Sequence, residues 1–300
     1  MRTLLLTLVL GSLVAAGSST VEAGGATGGF RRVGQSGRAS YYAQVDGPNE
    51  VDVRRSEELL DRLFTLFGAP ESAWHMEYYR HSSVEALSAQ LGFAAYGATD
   101  TTSLRVDSVR AFHPHELVHA VTARLGQPPL LFSEGIAVAL TAQGRWHDRD
   151  VDATARRWVR SGRGLAWPLQ HFASDEPDTD YAVAGSFVGF LLDRYGIEPL
   201  AAFLRGCPTP EAYEGALLAS YGRGLAELEL DWRQALEQPA AGRAWYDTRS
   251  WPASLHRGFE ARVATGPVRP PSLRERLLES AKGPKGRLAL SPPPSLEPMR

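Results

Sequence analysis

The stretch PHELVHAV, residues 114–121, places two histidines four positions apart, with Glu116 and several apolar residues around them. This pattern, opened by a proline that suits the first turn of a helix, predicts an α-helix over residues 114–125. Side chains four positions apart lie on one face of a helix, so the imidazoles of His115 and His119 can reach one common point. Glu116 lies beside them, one position round the helix.

A second helix is predicted over residues 133–141, after a turn at Gly126-Gln127-Pro128-Pro129. A helix that returns after this turn can bring Glu134 back to the two histidines. Gly135 removes a side chain at a place where two helices approach closely. The alternative for Glu134 is a first-turn carboxylate that stabilises the helix dipole. The histidine pair upstream favours the ligand interpretation.

Two imidazoles and one carboxylate suit Zn²⁺ and leave one position for water, which is the open arrangement of a catalytic site. Bound zinc lowers the pKa of that water to about 7, and a nearby carboxylate can accept its proton as the water attacks a carbonyl group. Glu116 is predicted to be this general base. The alternative is that the pentapeptide HELVH arose by chance on an amphipathic helix.

These residues resemble the gluzincin metallopeptidases, the thermolysin-like clan in which the HExxH histidines and a downstream Glu bind zinc. The closer likeness is to small bacterial members, the peptidase MA-like family, in which an S-E-G-x-A segment follows, as at residues 133–137. It extends from about Tyr41 to Leu236, and residues 180–196 are similar to that family's next helix. The resemblance implies a zinc peptidase in which His115, His119 and Glu134 are the ligands and Glu116 is the general base and proton shuttle.

Two positions depart from the family pattern. Thermolysin-like members carry an Asp four residues after the ligand Glu, where it supports a histidine, but this chain has Val138 there. A Trp that is common before the ligand Glu in the small bacterial members is also missing, and Leu131 and Phe132 occupy the region. Support for the ligands is therefore expected from other residues.

Hydrolysis also needs a donor for the developing oxyanion. Tyr181, at the start of the next long predicted helix, is the candidate, and its alternative is a tyrosine of the core or rim. The acidic residues Asp175, Glu176, Asp178 and Asp180 lack the spacing of an EF-hand, which favours a solvated loop that caps the helix over a calcium site. His113 is expected to point away from His115.

Apolar periodicity divides the chain into two parts. Residues 39–125 alternate between strand and helix patterns, with strands predicted over 39–45 and 74–79, an edge strand over 102–109, and helices over 51–67 and 84–91. Residues 126–239 are predicted to be helical, with further helices over 151–159, 181–195, 198–205, 210–221 and 224–236. The fold class is therefore α+β, a small α/β unit with a short sheet followed by a mostly helical unit, with the zinc site at their junction.

The segments outside these two parts have distinct compositions. Arg2 and the apolar residues 4–16 are typical of a signal peptide, predicted over 1–23 and removed on export to the periplasm or the exterior, and the alternative is an uncleaved membrane anchor. The Gly/Ser/Thr-rich residues 24–38 predict a flexible linker. Residues 240–300 contain nine of the 20 prolines and have a net charge of +6, which predicts a largely irregular tail.

Composition limits the possible functions. The chain has 300 residues, 43% of them hydrophobic, with a formal net charge of −2 and one cysteine. The charge gives no general attraction to nucleic acid, no stable membrane insertion is expected after signal cleavage, and the single cysteine leaves metal binding to His, Asp and Glu. The leading hypothesis is a secreted peptidase that acts on a peptide or protein substrate. The alternatives are a non-enzymatic binding or scaffold protein with a structural or vestigial zinc site, and a hydrolase of a non-peptide bond.

Overall fold

The computed structural model describes residues 29–69 and 74–238. The first part contains β1 (Arg31–Gln35), β2 (Ala39–Ala43), α1 (Glu50–Phe67), β3 (Met76–Arg80), α2 (Val84–Leu91), β4 (Gly97–Asp100), β5 (Arg105–Ser108) and α3 (Pro114–Thr122). The second part contains α4 (Leu130–Thr141), β6 (Arg145–Trp146), β7 (Arg149–Asp150), α5 (Val151–Arg160), α6 (Ala166–His171), α7 (Pro177–Tyr195), α8 (Ile197–Arg205), a short 3-10 helix (Pro210–Ala212), α9 (Tyr213–Tyr221) and α10 (Leu225–Glu237).

A five-stranded mixed sheet forms the first part, in the order β1-β2-β3-β5-β4. Strands β2, β3 and β5 are parallel, while β1 and β4 pair antiparallel at the two edges. The parallel pairs are linked through α1 and α2, as parallel strands require. The α+β fold class predicted from the sequence is confirmed.

One face of the sheet packs against α1 and α3. Tyr41, Tyr78 and Val106 from three neighbouring strands share a core with Leu60 and Phe64 of α1. The side chain of Asn49 caps the start of α1, and Gly68 ends it in the left-handed conformation with φ of 56°. The predicted end of this helix at Phe67 is therefore correct.

Helices α4 and α7 are the buried centre of the second part. Every residue from Leu131 to Leu140 is buried, which explains why α4 has apolar residues on all sides apart from Ser133 and Glu134. A Cβ at Gly135 would lie 2.7 Å from the carbonyl oxygen of Ala184, and one at Gly185 would overlap Val138. The close helix approach predicted at Gly135 is present, and its partner is α7.

Three expectations about individual elements are wrong. Residues 31–35 form β1 within the segment predicted to be a flexible linker. The sequence gives little sign of this strand, because it is held by backbone hydrogen bonds to β2 and, among its residues, Val33 alone is a hydrophobic side chain packed against the core. The strand at Arg105–Ser108 is not an edge strand, since β4 pairs with it on the outer side. The part predicted to be helical also contains the β6–β7 hairpin and α6, both too short for a periodicity to be recognised.

The predicted signal peptide and the predicted tail lie outside the described residues. Within residues 29–69 and 74–238, the helices are all too short or too polar to cross a membrane.

Candidate metal centre

Three predicted ligands meet at one point where α3 faces α4. The Nε2 atom of His115 lies 3.0 Å from Oε2 of Glu134 and 3.1 Å from Nε2 of His119, and the latter lies 3.2 Å from the same carboxylate oxygen. All three side chains are buried. Among the described residues, this is the one group of three or more His, Cys, Asp or Glu side chains that could hold a metal ion.

The spacing of these donor atoms fits a tetrahedrally coordinated metal ion. Ligands about 2.0 to 2.1 Å from a tetrahedral centre lie about 3.3 Å from one another. The three measured separations approach this value, and each side chain contributes one atom to a common point. Imidazole nitrogen also argues against calcium and magnesium, which prefer oxygen ligands. The group can therefore hold a metal ion.

The charges within the triad are mutually stabilising. Burial alone raises the pKa of the Glu134 carboxyl, but the two imidazoles outweigh this effect and lower that pKa. Burial lowers the pKa of His119, and Glu134 outweighs it, so this pKa is raised. Glu134 therefore stays ionised, as a metal ligand must be.

Glu116 is held by one of its two carboxylate oxygens. The hydroxyl of Thr99 on β4 donates to Oε2 of Glu116 at 2.8 Å and lies 3.1 Å from the backbone carbonyl oxygen of Glu116. Oε1 is buried and has no hydrogen-bond partner among the described residues. Burial raises the pKa of this carboxyl group. One oxygen is thus fixed in place and the other is left for a further partner.

Strand β4 approaches α3 closely enough to require glycine. A Cβ at Gly97 would overlap the ring of His113 and lie 2.9 Å from Cγ of Glu116. The strand therefore sets the position of Glu116 from two sides, through the backbone at Gly97 and the hydroxyl of Thr99. The sequence did not predict β4, and four small or polar residues carry no strand signal.

The apolar side chain at position 138 cannot hydrogen-bond to either histidine of the triad. Val138 packs against α7 at Gly185. Nδ1 of His115 is buried without a hydrogen-bond partner among the described residues. The ring of this histidine is instead held by aromatic neighbours, with Trp146 at 5.4 Å and Tyr181 at 6.2 Å between centroids.

Tyr181 lies at the site, in the first turns of α7. Its ring is buried and stacks on Trp146 with centroids 4.6 Å apart and planes 9° from parallel. The structure thus brings Tyr181 close to the metal triad. Trp146, which belongs to the β6–β7 hairpin, was not predicted. A hairpin with two residues in each strand gave no sequence signal.

Two cavities flank the triad. One of about 620 Å³ is lined by His119, and its walls include Leu130, Leu169, Phe172 and Leu204. The other, of about 290 Å³, is lined by His115 together with His113, Arg110 and Arg145. Among the described lining residues, the larger cavity has no Asp, Glu, Lys or Arg, whereas the smaller has two arginines.

His113 lies nearer the site than the sequence suggested. Its ring centroid is 6.4 Å from that of His115, and its Nδ1 lies 2.9 Å from the Ser108 hydroxyl. Burial lowers its pKa well below the usual range, so the ring is neutral. The expectation that it points away is wrong, because both rings line the same cavity.

The acidic residues 175–180, of which 177–180 form the first turn of α7, contain no group of three or more described side chains that could hold a metal ion together. Asp178 lies 3.0 Å from His147, Glu176 binds Arg163 at 2.8 Å, and Oδ2 of Asp180 accepts the Ala173 amide. These carboxylates therefore face different partners. Asp180 is buried, so the expected solvated loop is wrong for this residue. Burial raises the pKa of the Asp180 carboxyl group to about 6, because no cation of the described residues is bonded to it.

No protein-family model matches the chain, and no match was found among curated proteins.

Proposed function

We propose that this chain is an exported zinc-dependent peptidase that hydrolyses peptide bonds. The observation that carries the proposal is Glu116: a buried carboxylate, one residue from a ligand histidine, with one oxygen held by Thr99 and the other unpartnered. A structural metal site has no use for such a group. His115, His119 and Glu134 would hold the zinc.

Zinc bound there would supply a Lewis acid and a water with a pKa of about 7. Glu116 would accept the proton of this water at Oε1 as the water attacks the carbonyl carbon. The same carboxyl group would then deliver the proton to the leaving amine, so it ends the cycle ionised. The hydrogen bond from Thr99 would hold Oε2 in place, so the carboxylate would rotate little and Oε1 would stay directed at the water.

Tyr181 is the proposed donor to the oxyanion. Its stacking on Trp146 fixes the ring, and a fixed donor stabilises developing charge without reorganisation. The hairpin that carries Trp146 would then act through Tyr181 and His115, both of which lie within ring contact of it.

The two cavities support a chain-like substrate. A polypeptide that crosses the triad would place side chains on both sides of the scissile bond. The side with His119 offers an uncharged, largely apolar cavity, and the side with His115 offers two arginines. We therefore expect a preference for an uncharged residue on the first side and tolerance of an acidic residue on the second.

The test is Glu116→Gln, with zinc content and hydrolysis of a casein-type substrate measured on the same sample. The shape is nearly unchanged, so we expect one zinc per chain and a rate reduced about 10²- to 10⁴-fold. Tyr181→Phe should cost less, about 10²- to 10³-fold at most. Glu58→Gln, on the exposed side of α1, is the matched control and should change neither quantity.

Other outcomes favour the alternatives. A Gln variant that keeps zinc and the wild-type rate contradicts the mechanism. If wild-type protein binds zinc and cleaves no peptide, the binding or scaffold function gains support, or a non-peptide substrate must be sought. Metal analysis that returns iron in place of zinc would contradict the choice of metal. Protein that retains Met1 or Arg2 when isolated from its source would contradict export.

A further inference from the structure

A third cavity, lined by residues between 149 and 179 and separate from the two that flank the triad, has a charge that the proposed peptidase function does not explain. Its volume is about 290 Å³, and it is lined by Arg149 of β7, by Arg157 of α5 and by Arg163. We propose that this basic pocket binds a phosphate group. The proposal does not depend on the peptidase function.

Charge is the first argument. Three guanidinium groups and the single carboxylate of Glu176 line the pocket, which leaves a net charge of +2. Arg163 pairs with that carboxylate at 2.8 Å and lies over the Trp158 ring at 4.7 Å. Arg149 and Arg157 have no carboxylate of a described residue within 4.0 Å. The pocket therefore has an excess of positive charge, carried by three exposed arginines, and its one carboxylate, Glu176, also accepts a hydrogen bond from Thr179.

Hydroxyl groups orient these two arginines. Arg149 donates to Oγ1 of Thr179 at 3.2 Å, and Arg157 donates to Oγ1 of Thr154 at 3.0 Å. Both threonines are buried, with at most 7% of their surface exposed, so the hydroxyls are fixed at the pocket wall. Each guanidinium group has five N–H donors and uses one here, which leaves others for a ligand.

Phosphate fits this arrangement better than a carboxylate does. A phosphate monoester carries a charge of about −1.5 to −2 at pH 7, which matches the charge of the pocket. Planar guanidinium groups bind phosphate oxygens in pairs. A cavity of about 290 Å³ is at the small end of ligand pockets, so it has room for a phosphate group and a small attached moiety.

The experiment is isothermal titration of the full chain at constant ionic strength with inorganic phosphate and, separately, with O-phosphoserine. We expect one site per chain outside the metal centre. Loss of one charged hydrogen-bonding partner costs a factor of about ten or more, so Arg149→Gln and Arg157→Gln should each weaken binding by at least that amount. Tighter binding of O-phosphoserine identifies a phosphate ester as the ligand, and tighter binding of inorganic phosphate identifies the free ion.

Arg160→Gln is the matched control. Arg160 is exposed at the end of the same helix, pairs with Glu237 and does not line the pocket. Equal weakening in this variant would show a general charge effect and overturn the proposal. So would unchanged binding in Arg149→Gln and Arg157→Gln, since phosphate would then lie elsewhere, including on the metal. Arg149→Lys and Arg157→Lys keep the positive charge and show whether a loss of binding in the Gln variants comes from misfolding. We expect both Lys variants to bind phosphate with intermediate strength.

Discussion

Two histidine–carboxylate clusters in this protein are built from similar groups, but one could hold a metal ion and the other is closed by an arginine. The metal triad consists of His115, His119 and Glu134. The sheet cluster consists of His81, Asp107 and Arg105, with His81 Nε2 and Asp107 Oδ1 2.7 Å apart. In the sheet cluster, Arg105 donates two hydrogen bonds to the carboxylate, at 2.7 and 2.8 Å.

The difference lies in how each carboxylate is neutralised. Arg105 occupies both oxygens of Asp107 and Gln90 adds a further donor, so this carboxylate has no capacity left for a metal. No Lys or Arg of a described residue pairs with Glu134, and its partners are two imidazole nitrogens that could bind a metal ion together with it. A buried carboxylate next to a histidine is therefore a candidate metal ligand only where no guanidinium group has already satisfied it.

The largest effect expected from this comparison concerns metal content. His115→Ala and His119→Ala should each abolish stoichiometric zinc, because two remaining ligands hold the ion poorly. Glu134→Gln should weaken zinc binding more than Asp178→Asn in the first turn of α7. His81→Ala should retain one zinc per chain, measured by metal analysis after gel filtration. Full occupancy in His115→Ala would contradict the site.

The second effect is on stability and affects the other cluster. Asp107→Asn removes the charge that pairs with Arg105, whose side chain is 28% exposed, and we expect a loss of about 1 to 3 kcal/mol in the free energy of unfolding. Urea denaturation measures this loss. The zinc content should remain at one per chain, because the sheet cluster holds no ligand. A variant as stable as wild type would show that this ion pair is not structural.

A third buried carboxylate, Asp180, extends the comparison because it is not neutralised by any cation bonded to it among the described residues. Its pKa is raised from 3.8 to about 6, so the folded state keeps a proton that the unfolded chain releases. Stability contributed by this group is therefore lost as pH rises from about 4 to about 6, by no more than about 3 kcal/mol. Denaturation of Asp180→Asn and wild type across this range should show the variant gaining relative stability with pH. A constant difference would contradict the shift.

The smallest effect tests how Glu116 is positioned. Thr99→Val removes one hydrogen bond to the carboxylate, worth about a factor of ten in hydrolysis rate, with zinc unchanged. Thr99→Ser restores the hydroxyl and should recover most of the activity. Thr65→Val, on the exposed side of α1, is the control and should be neutral. Equal rates for Thr99→Val and wild type would mean that the hydroxyl does not position the base.

Spacing within one helix was enough to predict much of the metal centre. His115 and His119 share a face because they are four residues apart, and the turn before α4 returns Glu134 to them. Strong periodicity likewise predicted α1 and α2. The other parts of the site depend on tertiary contacts between distant segments: Thr99 reaches Glu116 from a strand too short and polar to recognise, and Trp146 reaches His115 from a two-residue strand.

The crossing of α4 and α7 sets how far this chain can be re-engineered. Gly135 stands directly after the ligand Glu134, and a β-carbon there would push α7 away at Ala184. A β-carbon at Gly185 would do the same from the other side, against Val138. A saturation library selected for hydrolysis should keep glycine at both positions, while the exposed Trp167 should vary freely. Two residues without a side chain therefore limit which substitutions the helix pair behind the metal triad can accept.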